Sequence, residues 1–230
     1  MVGYFDPTYY LFALPALLLG LYAQWKIRRA YNEFLRVANL SNTPGLEVAQ
    51  RLLAAHGLGH VEVMGTAGQL TDHYDPRSKA LFLSQGVAQS PSVASMGIVA
   101  HEVGHAQQDA EAYLPLKVRS AIVPMVQIGS WLGPILFLVG MLLQLGRAVP
   151  LVGLAIYSST LVFSLVTLPV EFDASRRAVN MLQRAYQLSD SEEQGVRKVL
   201  SAAALTYVAA AAQSLSTMLY YLSILGRRRD

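Results

Sequence analysis

His101-Glu102-Val103-Gly104-His105 is the stretch from which the rest of the chain can be read. On a helix, residues four apart lie one above the other on one face, so both imidazoles can reach a single metal ion. The glutamate between them then points at the ion's open position, where it can take a proton from water. With 5 histidines among 230 residues, chance seldom places two of them around a glutamate in this way. The pattern predicts a helix that supplies two ligands to one Zn2+ per chain and carries a general base, Glu102. A catalytic zinc takes three protein ligands, so the fold must bring the third from elsewhere.

Composition sets the kind of fold that does so. The chain is 53% hydrophobic and only 14% charged, against roughly 25% charged residues in soluble domains. Residues 7–25, 120–146, 148–170 and 199–226 carry no charge, and each run is long enough for a helix to cross a hydrocarbon core of about 30 Å. The expectation is a mainly α integral membrane protein with about four transmembrane helices in a bundle. The net charge of +3 does not point to nucleic acid. The basic residues sit at the ends of apolar runs (Lys26, Arg28 and Arg29; Lys117 and Arg119; Arg176 and Arg177; Arg227, Arg228 and Arg229), where they anchor helices and set topology. No separate basic face and no aromatic-rich binding motif accompanies them. With no cysteine, a metal site must be built from His, Glu or Asp.

Five segments follow. Residues 1–26 read as an uncleaved anchor: Asp6 precedes the apolar run and Lys26, Arg28 and Arg29 follow it, which favours an outside N-terminus and a cytoplasmic continuation. Residues 27–118 form the main polar segment. Within it Thr43 and Pro44 open a helix that runs to His56 and stops at Gly57. Residues 60–64 alternate as a strand, Asp75-Pro76-Arg77-Ser78 is a turn, and Lys79-Ala80-Leu81-Phe82-Leu83-Ser84 is a second strand. Ser90 and Pro91 are expected to open the metal helix, whose Ala94, Gly97, Ala100 and Gly104 allow close approach by a neighbour. Residues 119–170 form an apolar helical hairpin that returns the chain to the side it left. Residues 171–198 begin with Glu171 and contain a capping box, Ser189 with Glu192. Residues 199–230 are an Ala-rich apolar helix with Gln213, Ser214, Ser216 and Thr217, expected to span.

Two acids compete for the third ligand position. Glu111 lies six residues after His105, but the glycine that turns the chain in such an arrangement is replaced by Gln108. Glu171 is the first charge to emerge from the returning hairpin, and Ser175 lies one turn on, on the same face. An acid at the end of a span can also be a plain interfacial charge. His56, at a helix C-terminus, reads as structural, His60 as exposed, and His73 as a loop hydrogen-bonder beside Asp72 and Asp75.

Several further stretches carry a resemblance: Leu70-Thr71-Asp72-His73-Tyr74-Asp75-Pro76-Arg77, Leu81-Phe82-Leu83-Ser84, residues 100–105, Pro169-Val170-Glu171-Phe172-Asp173-Ala174-Ser175 and Thr206-Tyr207-Val208-Ala209-Ala210. With these the chain resembles, over most of its length, the YugP-type bacterial membrane zinc metallopeptidases. More distantly it is similar to the HtpX and CAAX-prenyl-protease class. The resemblance implies a small α/β zincin-like catalytic segment of short strands plus the metal helix. It also implies Glu171 as the third ligand and Arg176 as the basic residue that follows it. Ser175 stands where the wider class has Asp, and a hydroxyl bonds a ligand histidine more weakly than a carboxylate does. It implies a multi-pass protein of the bacterial cytoplasmic membrane with its active site on the cytoplasmic side. Zinc-activated water would be the nucleophile, Glu102 the base, and His73, Arg176 and Tyr207 the candidate oxyanion donors. Residues 79–84 would pair with an extended substrate, a protein or peptide that includes segments of membrane proteins.

Three other readings compete with a zinc endopeptidase. An intramembrane site-2-type protease calls for a Leu-Asp-Gly motif, which is absent. An inactive metal-binding scaffold or regulatory subunit has no need of Glu102. A transporter calls for an inverted repeat, which is not evident.

Overall fold

The computed structural model describes residues 7–227; Asp6, Arg228 and Arg229, which entered the topology argument, lie outside the described residues. Its elements in chain order are α1 (Pro7–Phe34), α2 (Gly45–Ala55), β1 (Glu62–Thr66), β2 (His73–Asp75), β3 (Ala80–Ser84), α3 (Gln85–Gln89), α4 (Val93–Ala110), α5 (Leu114–Leu142), α6 (Ala148–Tyr186) and α7 (Asp190–Arg227). Four helices, α1, α5, α6 and α7, are long and apolar enough to cross a membrane. The chain is a mainly α integral membrane protein with one small sheet.

Two compact units divide it. The first comprises Val118–Leu168 with the chain up to Gln24 and from Thr206 onward. Here α5 and α6 pack backbone to backbone: a Cβ at Gly133 would stand 2.8 Å from Tyr157 N, and one at Gly153 2.5 Å from Phe137 N. Small residues allow such approach where lipid supplies no hydrophobic drive between helices. Phe137, Leu154, Tyr221 and Leu225 make the buried cluster of this unit.

The second unit comprises Trp25–Lys117 and Pro169–Leu205, and its core runs through α2, β3, α4 and the adjoining parts of α1, α6 and α7. Helix α2 buries Val48, Ala49, Leu52 and Leu53, the spacing of one helical face. Helix α4 is buried on nearly every side from Val93 to Ala106, as its small residues suggest. In the sheet, of order β1-β3-β2, β3 is central: it runs parallel to β1 with Leu81 opposite Val63 and antiparallel to β2 with Leu81 opposite Tyr74.

Several boundaries differ from the sequence expectation. The N-cap of the metal helix is Ser92, whose side chain accepts from Ser95 N; Ser90 instead ends α3, a short helix the sequence did not suggest. Thr43 does not cap α2. It bonds back to Ser41 O, and Pro44 takes the cap position. Gly57 stops the helix as expected, at φ +70. The first strand begins two residues later than its alternation indicated, and His73 lies in a strand, β2, rather than a loop. Residues 171–186 continue the returning hairpin helix without a break, since Pro169 sits inside α6. Helix α1 likewise continues past its apolar run, because Ile27, Ala30 and Tyr31 turn one face into the core of the second unit. The capping box is present: Glu192 Oε2 accepts from Ser189 N at 2.9 Å, and Glu192 N donates to Ser189 Oγ at 3.3 Å. Glu192 Oε1 also accepts from Leu40 N at 2.9 Å, so one side chain caps α7 and holds the loop before α2.

Helices α4 and α6 meet at Gly104, where a Cβ would stand 2.9 Å from Ala174 O. Gly104→Val is expected to lose about 1–3 kcal/mol through overpacking. Gly20→Ala, with nothing within 4 Å of the new methyl, should be neutral or slightly stabilising. Denaturant unfolding of both variants in detergent checks the contrast.

Candidate metal centre

Three donors converge in the second unit: His101 and His105 from α4 and Glu171 from α6, with their ligand atoms all within 4.8 Å of one another. The two imidazoles lie four residues apart on one face of α4, with ring centroids 4.7 Å apart and planes at 84°. Glu171 is 2% exposed, and its Oε2 lies 3.2 Å from His101 Nε2 and 3.6 Å from His105 Nε2. Donors held about 2.1 Å from a tetrahedral ion stand about 3.4 Å apart, and the two observed separations bracket that value. Two nitrogens and one carboxylate oxygen are also the donor set of a catalytic zinc with an open fourth position. The residues fit the metal.

The far nitrogen of each ring is held as well. Ser175 Oγ lies 3.2 Å from His101 Nδ1. Gln108 Oε1 lies 3.0 Å from His105 Nδ1, while Gln108 Nε2 donates to Val170 O and to Asp173 Oδ2, both at 2.9 Å. Asp173 accepts from Arg177 Nε at 2.6 Å and from Arg176. Burial by itself pulls the His105 pKa down, but Glu171, Glu102 and Gln108 together outweigh it and the net shift is upward. A metal ligand must give up that proton, and a divalent cation held by His101, His105 and Glu171 would take its place in the same field.

Glu102 lies between the histidines and is buried. Burial pushes its carboxyl above the usual range, against the lowering effect of both rings. Its Oε2 accepts a 3.0 Å hydrogen bond from the backbone N–H of Tyr74 in β2. The Tyr74 hydroxyl donates to Asp109 Oδ2 at 2.7 Å, and Lys79 pairs with the same oxygen. Strand β2 is thereby tied to α4 at two points two turns apart.

The other sequence candidates lie elsewhere. Glu111 ends α4 and accepts from Arg177 Nη1 at 2.6 Å, so it is not in the donor group. Arg176 extends into solvent, 72% exposed, and pairs with Asp173. His73 stacks on Phe82 with centroids 4.7 Å apart, and its Nδ1 lies 2.8 Å from Thr71 O. Tyr207 belongs to the first unit, not to the one holding the donors. The substrate-strand candidates need a correction. Ala80, Leu81, Phe82, Leu83 and Ser84 form the central strand; Ala80, Leu81 and Phe82 are paired on both sides, Leu83 and Ser84 with β1 alone, and Lys79 stands just before it at φ +52. The N–H of Ser84 donates to Asp72 Oδ1 at 2.7 Å. Over Ala80, Leu81 and Phe82 the strand cannot add a third partner, and the edges of the described sheet are β1 and β2.

The sequence missed Gln108, Tyr74 and the Asp173–Arg177 pair. Gln108 had a signal, since it lies three residues after His105 on the same helical face. Tyr74 had none, because its amide meets Glu102 only through tertiary contact.

Over residues 9–226 the chain matches the family model described as "Putative neutral zinc metallopeptidase". It is 42% identical over 217 residues to a protein of Bacillus subtilis (strain 168) named "Putative membrane protease YugP", covering 94% of this chain and 96% of that one. No solved structure matches it. Donor geometry, family model and relative coincide, and the chain belongs to the neutral zinc metallopeptidase family.

Proposed function

We propose that the chain is a membrane-embedded zinc endopeptidase that hydrolyses peptide bonds at the cytoplasmic surface of a bacterial inner membrane. The observation that carries this reading is the convergence of His101, His105 and Glu171 on one point, with buried Glu102 beside it. What zinc supplies at such a site is polarisation of the scissile carbonyl and acidification of water. Glu102 takes the proton from the attacking water and hands it to the leaving amine. The Tyr74 N–H bond to its Oε2 orients the carboxylate so that Oε1 is the oxygen available for the transfer. Its raised pKa suits a group that must both accept and release a proton near neutrality.

An extended substrate is best accommodated along β2, the sheet edge that touches Glu102 through Tyr74, since Ala80, Leu81 and Phe82 of β3 are paired on both sides. Of the three oxyanion candidates, His73 is the one whose strand contacts Glu102, and we assign it that role. The cytoplasmic side follows from Lys26, Arg28 and Arg29 after the first apolar run, by the positive-inside tendency. Substrates would be proteins presented at the membrane, including exposed segments of membrane proteins. The site-2-type alternative loses ground because α4 is not among the four helices apolar enough to cross a bilayer.

Two experiments test the reading. Glu102→Gln should keep its zinc while cleavage of an unfolded protein falls about 10²–10⁴-fold; unchanged cleavage would remove Glu102 from the chemistry. Glu171→Ala should weaken zinc binding by more than the roughly 10–100-fold typical of losing a ligand's supporting partner, whereas Glu111→Ala should leave it unaltered. Metal content after dialysis against a chelator reads both.

A further inference from the structure

We infer that Gln108 is the positioning residue of the metal centre: its buried amide decides which nitrogen of His105 carries hydrogen and registers that ring against the backbone beside Glu171. This rests on reading the three donors as a zinc site. The two ends of a carboxamide have nearly the same shape, so the neighbours decide which end faces the ring. Gln108 is 0% exposed, and its Nε2 stands 2.9 Å from both Val170 O and Asp173 Oδ2. A backbone carbonyl only accepts, and so does a carboxylate held ionised by Arg177. Turning the amide over would set an oxygen against two oxygens.

The NH2 end is thus committed to α6, and Oε1 faces His105 Nδ1 at 3.0 Å. An acceptor at that place requires hydrogen on Nδ1. The neutral ring then has its lone pair on Nε2, the atom that faces Glu171 Oε2 and the one able to bind a metal. The second acceptor, Val170 O, belongs to the residue immediately before Glu171. A single side chain therefore ties a ligand of α4 to the position of a ligand on α6. His101 has no equivalent. Its Nδ1 meets Ser175 Oγ at 3.2 Å, and a hydroxyl rotates to donate or accept as required. The two histidines are supported unequally, and the burden falls on Gln108.

The test uses the full chain in detergent with zinc as the probe. Gln108→Met keeps the length and most of the volume of the side chain but removes both hydrogen-bonding ends. Chelator competition is expected to show zinc affinity reduced about 10–100-fold, with Ser175→Ala much closer to wild type. Long-range 1H–15N spectra of the zinc-loaded wild type are expected to show hydrogen on His105 Nδ1. A wild type that takes up no zinc overturns the metal reading, and this inference with it. A wild type that binds zinc, with Gln108→Met binding as tightly or losing no more than Ser175→Ala, overturns this inference alone. Should Gln108→Met fail to fold, the wild-type spectra decide: hydrogen on Nδ1 supports the assignment and a bare Nδ1 sinks it.

Discussion

The missing side chain at Gly104 sets how closely α4 and α6 approach, and the donor set depends on that spacing. His105 follows Gly104 directly, His101 lies one turn before it, and Glu171 lies one turn before Ala174, the residue that Gly104 meets. Any widening at this crossing moves the carboxylate away from both rings together. Packed interiors transmit such shifts rather than absorb them. Metal–ligand distances tolerate only about 0.2 Å, so separations of 3.2 and 3.6 Å leave little slack.

Proximity alone would make the site costly, because Glu102, Glu171 and Asp173 are all buried, and a buried carboxylate is unfavourable unless it is hydrogen-bonded or paired. Each has its own donors: the Tyr74 amide of β2 for Glu102, the two imidazoles of α4 for Glu171, and Gln108 of α4 with Arg177 of α6 for Asp173. The arrangement is therefore cooperative. Strand β2, helix α4 and helix α6 hold one another in place through the groups of the candidate site. A cation that binds only this arrangement stabilises the fold by mass action, so metal binding and structure are linked.

Much of this was legible in the residues. The ligand pair His101 and His105 is a matter of helical spacing, and the four apolar helices follow from runs without charge. The Ser189–Glu192 capping box is likewise local. The boundaries that missed were those where one local signal competed with another. Ser90 and Ser92 both look like caps, and only the packing of α3 ahead of α4 makes Ser92 the one used. Strand order was out of reach for a different reason. Residues 79–84 read as a strand after the turn at Asp75-Pro76-Arg77-Ser78, but nothing in them tells whether their edges are open. That depended on β1 and β2 arriving from either side.

The sequence by itself determined the two imidazoles, the glutamate between them, the membrane character of the long helices and the small residues that permit close packing, because each is a property of spacing or composition along a few turns of chain. Only the tertiary structure decided between Glu111 and Glu171 as the third donor, placed β3 between β1 and β2, and revealed that Gln108 bonds His105 and α6 and that Tyr74 bonds Glu102. The contacts of Glu102 with Tyr74, of His101 with Glu171 and of Gln108 with Val170 join residues 28 to 70 positions apart. Hydrogen bonds and metal ligation act over about 3 Å, and no local pattern records which distant groups the fold brings within that range.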